Sequence, residues 1–144
     1  MPSIFIDTSS LVKFYYPEVD SNKVESLLLE SDLIYISYLT VVEMASALQK
    51  KVRIGDLKKH MCTVIWNTFM DDLDAEKIEL IPIADRYYFK AADLIKEYGG
   101  RYGIKTLDSL QLSVASSLHD PMFLCSDKRL NKVASLIGIN LVHL

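Results

Sequence analysis

The chain has 144 residues, half of them hydrophobic and 24% charged, a balance that suits one compact domain with a sizeable core and argues against disorder. The formal net charge of -3 removes any global electrostatic argument for nucleic-acid binding, leaving only local basic patches. No apolar run reaches the roughly 18 residues of a membrane span, and Cys62 and Cys125 form neither a C-x-x-C pair nor a disulfide framework, so the expected setting is a reducing cytoplasm with no membrane contact.

In chain order, Ile4 to Ile6 is of strand type and runs into Asp7-Thr8-Ser9-Ser10, a turn and helix N-cap cluster. A helix is expected from about Ser10 until Pro17 stops it. A second, capped by Asp20 or Ser21, carries Val24, Leu27 and Leu28 on one face as far as Glu30. Leu33 to Ser37 reads as the second strand and Thr40 to Lys51 as the third helix. Gly55 and Asp56 separate it from an amphipathic helix of about 18 residues bearing Leu57, Met61, Val64, Ile65 and Leu73.

Ile78 to Ile83 reads as a third strand whose Pro82 suits a sheet edge. Asp85 would cap a helix carrying Tyr88, Ala91, Ala92 and Ile95, ended by Gly99-Gly100. Helix, strand, helix and strand then follow over Thr106 to Leu118, Met122 to Cys125, Lys128 to Ile137 and Ile139 to Val142, with Gly138 closing the last helix. Strands separated by helices predict an α/β three-layer sandwich, a central mostly parallel sheet of about five strands with helices on both faces, in one domain over 1–144.

Open parallel sheets bind ligands beyond the carboxyl ends of their strands. Asp7 directly follows the first strand there, and Asp127 follows the fourth with only Ser126 between. Both also suit helix N-caps, where the dipole and free amides favour an anion. Thr40-Val41-Val42-Glu43 matches a capping box, which on pattern alone is the better account of Glu43, although the helix starts just after the second strand. Asp108 borders an expected buried stripe of Leu107, Leu110, Val114 and Leu118, with Gln111 inside it. Four acids at one end of a sheet repel one another unless a cation lies between them. Oxygen-only ligation selects Mg²⁺ or Mn²⁺.

Phe5-Ile6-Asp7-Thr8-Ser9-Ser10-Leu11-Val12-Lys13, Ser37 through Glu43, Leu107-Asp108-Ser109-Leu110-Gln111-Leu112 and Ser126-Asp127-Lys128-Arg129-Leu130 together resemble PIN-domain proteins, specifically VapC toxins of prokaryotic toxin-antitoxin pairs. No single motif is specific, but the ordered set is. The resemblance implies an endoribonuclease whose quartet Asp7, Glu43, Asp108 and Asp127 binds one or two Mg²⁺ or Mn²⁺ ions, with Thr8 and Ser9 as supporting hydroxyls. It also implies an RNA substrate such as tRNA or rRNA, a VapB-type antitoxin and a homodimer. Lys128 and Arg129 would draw in phosphate. Cys125 and Gln111 depart from the family, where a hydroxyl residue and a histidine are frequent.

Two other Mg²⁺ chemistries fit less well. A haloacid-dehalogenase-type phosphatase needs a second Asp where Ser9 stands, and a receiver domain wants an Asp at the third strand end, where the chain has Pro82-Ile83. The remaining alternative is a PIN-fold nuclease or RNA-binding protein outside toxin-antitoxin systems.

Overall fold

The computed structural model describes residues 3–16 and 21–142. Side chains alternate faces along a strand, and the central strand β1 (Ile4–Ile6) shows what that requires here: Ile4 and Ile6 enter one core and Phe5 the other. A strand buried on both faces reads as an unbroken apolar run. β2 (Ile34–Ser37), β3 (Glu79–Ile81), β4 (Met122–Leu124) and β5 (Asn140–Leu141) complete a sheet in the order β3-β2-β1-β4-β5. All four pairings are parallel. Pro82 lies just beyond β3, which is an edge strand as its sequence suggested.

One face of the sheet is covered by α1 (Thr8–Tyr15), α2 (Ser21–Glu30), α3 (Tyr38–Arg53) and α4 (Lys59–Asp74), whose Leu11, Val24, Leu28, Met44, Leu48, Ile65 and Phe69 share a core with Ile4, Ile6 and Ile36. The other is covered by α5 (Asp85–Leu94), α7 (Thr106–Ser117) and α8 (Lys128–Leu136), with Tyr87, Leu94, Leu112, Val114, Leu130 and Val133 around Phe5 and Phe123. The short α6 (Gly100–Tyr102) follows a π turn over Ile95–Gly99. The expected α/β sandwich with a parallel five-stranded sheet is the fold observed.

Several boundaries differ for local reasons. The expected stop at Pro17 and cap at Asp20 lie outside the described residues. α1 begins at Thr8, two residues early, because Asp7 is its N-cap. α3 begins at Tyr38 with Ser37 as N-cap, so Thr40 lies inside the first turn and is no cap. Asp85 is the first residue of α5 behind an Ala84 N-cap, without a capping hydrogen bond.

Gly99 and Gly100 do not end the α5 segment. The chain stays helical to Tyr102 and stops at Gly103, which takes the left-handed conformation at φ 67. On α4 the buried stripe is Cys62, Ile65 and Phe69, with Met61 and Val64 exposed, and on α5 it is Tyr87, Ala91 and Leu94, with Tyr88 exposed. On α7 Leu107 is exposed, while Ser109 through Ala115 are all buried.

Candidate active site

The chain runs from β1 outward through β2 to β3, then returns to the other side of β1 for β4 and β5. Strand order therefore reverses between β1 and β4, and open parallel sheets take their ligands beyond the strand ends at such a point. Asp7 and Asp127 follow these two strands as the N-caps of α1 and α8. The Asp7 amide donates to Leu124 O at 3.0 Å, extending the β1–β4 ladder by one residue. Its side chain accepts from Ser9 Oγ at 2.8 Å and from the Ser10 amide at 3.3 Å, so Asp7 caps α1 from a buried position.

Burial is the largest influence on this carboxyl and raises its pKa from 3.8 to about 6. Hydrogen bonds from Ser9, Cys125 and Ser10 lower it again, and the Glu43 charge raises it. The neighbouring Cys125 thiol is pushed well up, first by its own burial and then by the Asp7 charge. Its sulfur also accepts the Asp127 amide at 3.3 Å.

Glu43 lies one turn into α3, half-buried. The capping-box account fails because α3 starts two residues before Thr40, and the glutamate turns inward. Its Oε1 accepts from Thr8 Oγ1 at 2.9 Å and from Gln111 Nε2 at 2.7 Å. Ser9 thus donates to Asp7, whereas Thr8 donates to Glu43.

Asp127 and Asp108 are engaged locally. Asp127 is the N-cap of α8, accepting from the amides of Arg129 at 2.9 Å and Leu130 at 3.4 Å, with Arg129 Nη2 at 3.7 Å from Oδ2. Asp108 is half-buried on the first turn of α7 and accepts the Lys105 amide at 3.3 Å. Lys128, beside Asp127, is exposed.

The double role of Asp127 can be separated by substitution. Asp127→Asn keeps a good cap and should melt within about 0.5 kcal/mol of wild type, while Asp127→Ala should lose about 1 kcal/mol. Denaturant melts of both variants check this. Equal stability of the two would remove the cap from the account of this residue.

Residues the sequence did not nominate complete the surroundings. Ser10 Oγ and Ser126 Oγ are 2.9 Å apart, and Lys13 Nζ donates to Ser126 at 3.0 Å, stitching α1 to the loop that carries Asp127. Ser37, Thr40 and Gln111 form a buried hydrogen-bonded cluster behind Glu43. Its signal was a glutamine within an apolar stripe, since buried amides are retained where their hydrogen bonds are met.

The donor chemistry can be tested against the cation that the resemblance implies. Among the described residues, no three acids, histidines or cysteines gather closely enough to hold a metal. Asp7 and Glu43 do interact electrostatically. Mg²⁺ needs only one or two protein carboxylates, because it keeps several waters and takes phosphate oxygens for the rest. An oxygen-only pair with mutual repulsion, Asp7 buried and Glu43 half-buried, fits such an ion.

Comparison with known proteins places the fold in a family. The family model of the PIN domain matches residues 4–136. Among solved structures, VapBC2 from Rickettsia felis bound to a DNA fragment from their promoter is similar at 18% identity, TM-score 0.67, covering 99% of this chain and 98% of that one. A toxin-antitoxin complex from Klebsiella pneumoniae has a chain at 17% identity, TM-score 0.66, covering 97% and 96%. FitAcB from Neisseria gonorrhoeae has one at 17% identity, TM-score 0.65, covering 97% and 96%. No curated protein gives a significant sequence match. At such identities the structures establish a shared fold, and the family model establishes kinship: this chain belongs to the PIN-domain family.

Proposed function

We propose that the chain is a Mg²⁺- or Mn²⁺-dependent endoribonuclease acting as the toxin of a VapBC-type toxin-antitoxin pair, with residues 1–144 forming a single PIN-like domain. The observation that carries this reading is the Asp7 carboxyl at the strand-order reversal, disfavoured as an anion by burial and by Glu43. Such a group beyond the strand ends is suited to a cation. PIN domains are generally nucleases, which supports hydrolysis.

Asp7 and Asp108 are the first choices as ligands, and Glu43 ligates the ion directly or through water. When bound, the ion supplies Lewis acidity for a phosphodiester and makes water a stronger nucleophile. Asp127 completes the site or orients the attacking water. Lys128 and Arg129 attract phosphate, by charge and by paired hydrogen bonds respectively. Thr8 and Ser9 hold carboxylates in place. The similarity to chains in toxin-antitoxin assemblies supports a VapB-type antitoxin as partner, and a homodimer in the cytoplasm is the expected form.

Purified protein should cleave structured RNA with Mg²⁺ or Mn²⁺ and stop on addition of chelator, read on denaturing gels. Asp108→Asn should lower the rate by on the order of a hundredfold. Cleavage that survives chelator, or full activity in both Asp7→Asn and Asp108→Asn, contradicts the metal site.

A second reading, a PIN-fold protein that binds RNA without cutting it, is favoured by the lack of a gathered acid triple among the described residues. RNA binding without cleavage at any Mn²⁺ concentration would select it. A PIN nuclease outside toxin-antitoxin systems is selected instead if RNA is cut and no antitoxin-like reading frame lies beside the gene.

A further inference from the structure

Gln111 is a polar side chain with 3% exposure in the middle of α7. Burying an amide is unfavourable unless its donors and acceptor are used. Here one cluster uses all of them. Ser37 Oγ donates to Gln111 Oε1 at 2.8 Å, while Nε2 donates to Thr40 Oγ1 at 2.9 Å and to Glu43 Oε1 at 2.7 Å. A primary amide has two N–H groups, so none remains for another acceptor. Reversing the amide would aim its oxygen at the Glu43 carboxylate, which fixes the orientation.

The same Glu43 Oε1 accepts from Thr8 Oγ1 at 2.9 Å, so two donors converge on one carboxylate oxygen. No hydrogen bond reaches Oε2 among the described residues. We propose that Gln111 is a positioning residue that commits Glu43 Oε1 to the protein and leaves Oε2 as the single oxygen for a cation.

The same amide ties Glu43 to the helix that bears Asp108. Gln111 and Asp108 are three residues apart on α7, the spacing of neighbours on one helix face. Thr8, the other donor, directly follows Asp7. The cluster thereby links α1, β2, α3 and α7, and rigid outer support of this kind tunes how ligands meet a metal. The inference rests on the function proposed above and adds the device that aligns Glu43.

The test uses Mn²⁺ binding followed by electron paramagnetic resonance without RNA, on wild type, Glu43→Gln, Gln111→Met and Ser37→Ala. Methionine keeps the length of Gln111 and removes its hydrogen bonds. Gln111→Met should bind Mn²⁺ about tenfold more weakly. The Mg²⁺ concentration for half-maximal cleavage should rise by a similar factor, with KM for RNA unchanged at saturating Mg²⁺.

Ser37→Ala frees only the far end of the amide and should shift binding in the same direction by a smaller factor. It decides the matter if Gln111→Met does not fold. Mn²⁺ affinity equal to wild type in the folded variants, with weakened binding in Glu43→Gln, overturns the positioning role and leaves the metal site standing. A wild type that binds no Mn²⁺, or a Glu43→Gln variant that binds it as well as wild type, overturns the proposed function itself.

Discussion

Asp7→Asn should lose RNA cleavage by on the order of a hundredfold or more and yet melt at a higher temperature than wild type when chelator is present. The two effects share one cause. Asp7 is buried, and its pKa is raised from 3.8 to about 6 on folding. An acid raised in this way contributes stability fully present below its unfolded pKa and lost as pH rises through about 6. Above that pH the folded chain carries a buried anion that the unfolded chain keeps in water.

The rise to about 6 corresponds to roughly 3 kcal/mol at neutral pH. Asparagine removes the charge and still caps α1. The advantage of the variant should therefore be near zero at pH 4, grow between pH 4 and 6, and level off above. Saturating Mg²⁺ should shrink it, because an ion bound only to the folded wild type stabilises that state. Thermal melts across pH, with chelator and with Mg²⁺, test each part. A variant less stable than wild type at pH 8 would mean that the Asp7 anion is already compensated within the protein.

The largest loss of stability should come from Phe5→Ala. Phe5 has no exposed surface, pairs with Tyr35 on one side and Phe123 on the other, and stacks on the Phe123 ring at 6.1 Å between centroids and 14° between planes. Truncating a buried phenylalanine costs about 3–5 kcal/mol, and the lost ring pair adds about 1 kcal/mol. Against a total stability of roughly 5–15 kcal/mol, much of the folded population goes.

Phe89→Ala is the control. Phe89 is 75% exposed, and its removal should change stability by no more than about 0.5 kcal/mol. Urea midpoints for both variants check the contrast. Equal midpoints would mean that the β1–β4 seam is not the centre of the core.

What could be read from the chain, and what could not, divides along physical lines. Ile4-Phe5-Ile6 followed by Asp7 was legible because a strand buried on both faces must be apolar throughout and must end where the chain turns. The alternation of strand and helix carried the fold class for the same reason. For Glu43, pattern alone favours a cap because Thr-x-x-Glu is a local motif, while the bonds that hold it come from Thr8 and Gln111, 35 and 68 residues away.

Gly99-Gly100 looked like a helix end, since glycine favours that role. The helix passes through them instead, with the left-handed position displaced to Gly103. Of the candidate site, Asp7 and Asp127 were legible from their places after strands. The support around Gln111 was not, because nothing in a single chain reveals which distant hydroxyls a buried amide will meet.

The pairing of β1 with β4 has a consequence for how the protein is made. Ser10 and Ser126, which join across this seam, are 116 residues apart. A contact of that span closes slowly, because the loop entropy must be met before the contact forms. A ribosome that has released β1 through β3 has made a strand whose second edge has no neighbour, and Asp7 then lies beside water instead of Leu124 and Cys125. Until β4 arrives, the side of Asp7 that meets Leu124 and Cys125 stays open, so part of the burial that raises its pKa is acquired late in synthesis.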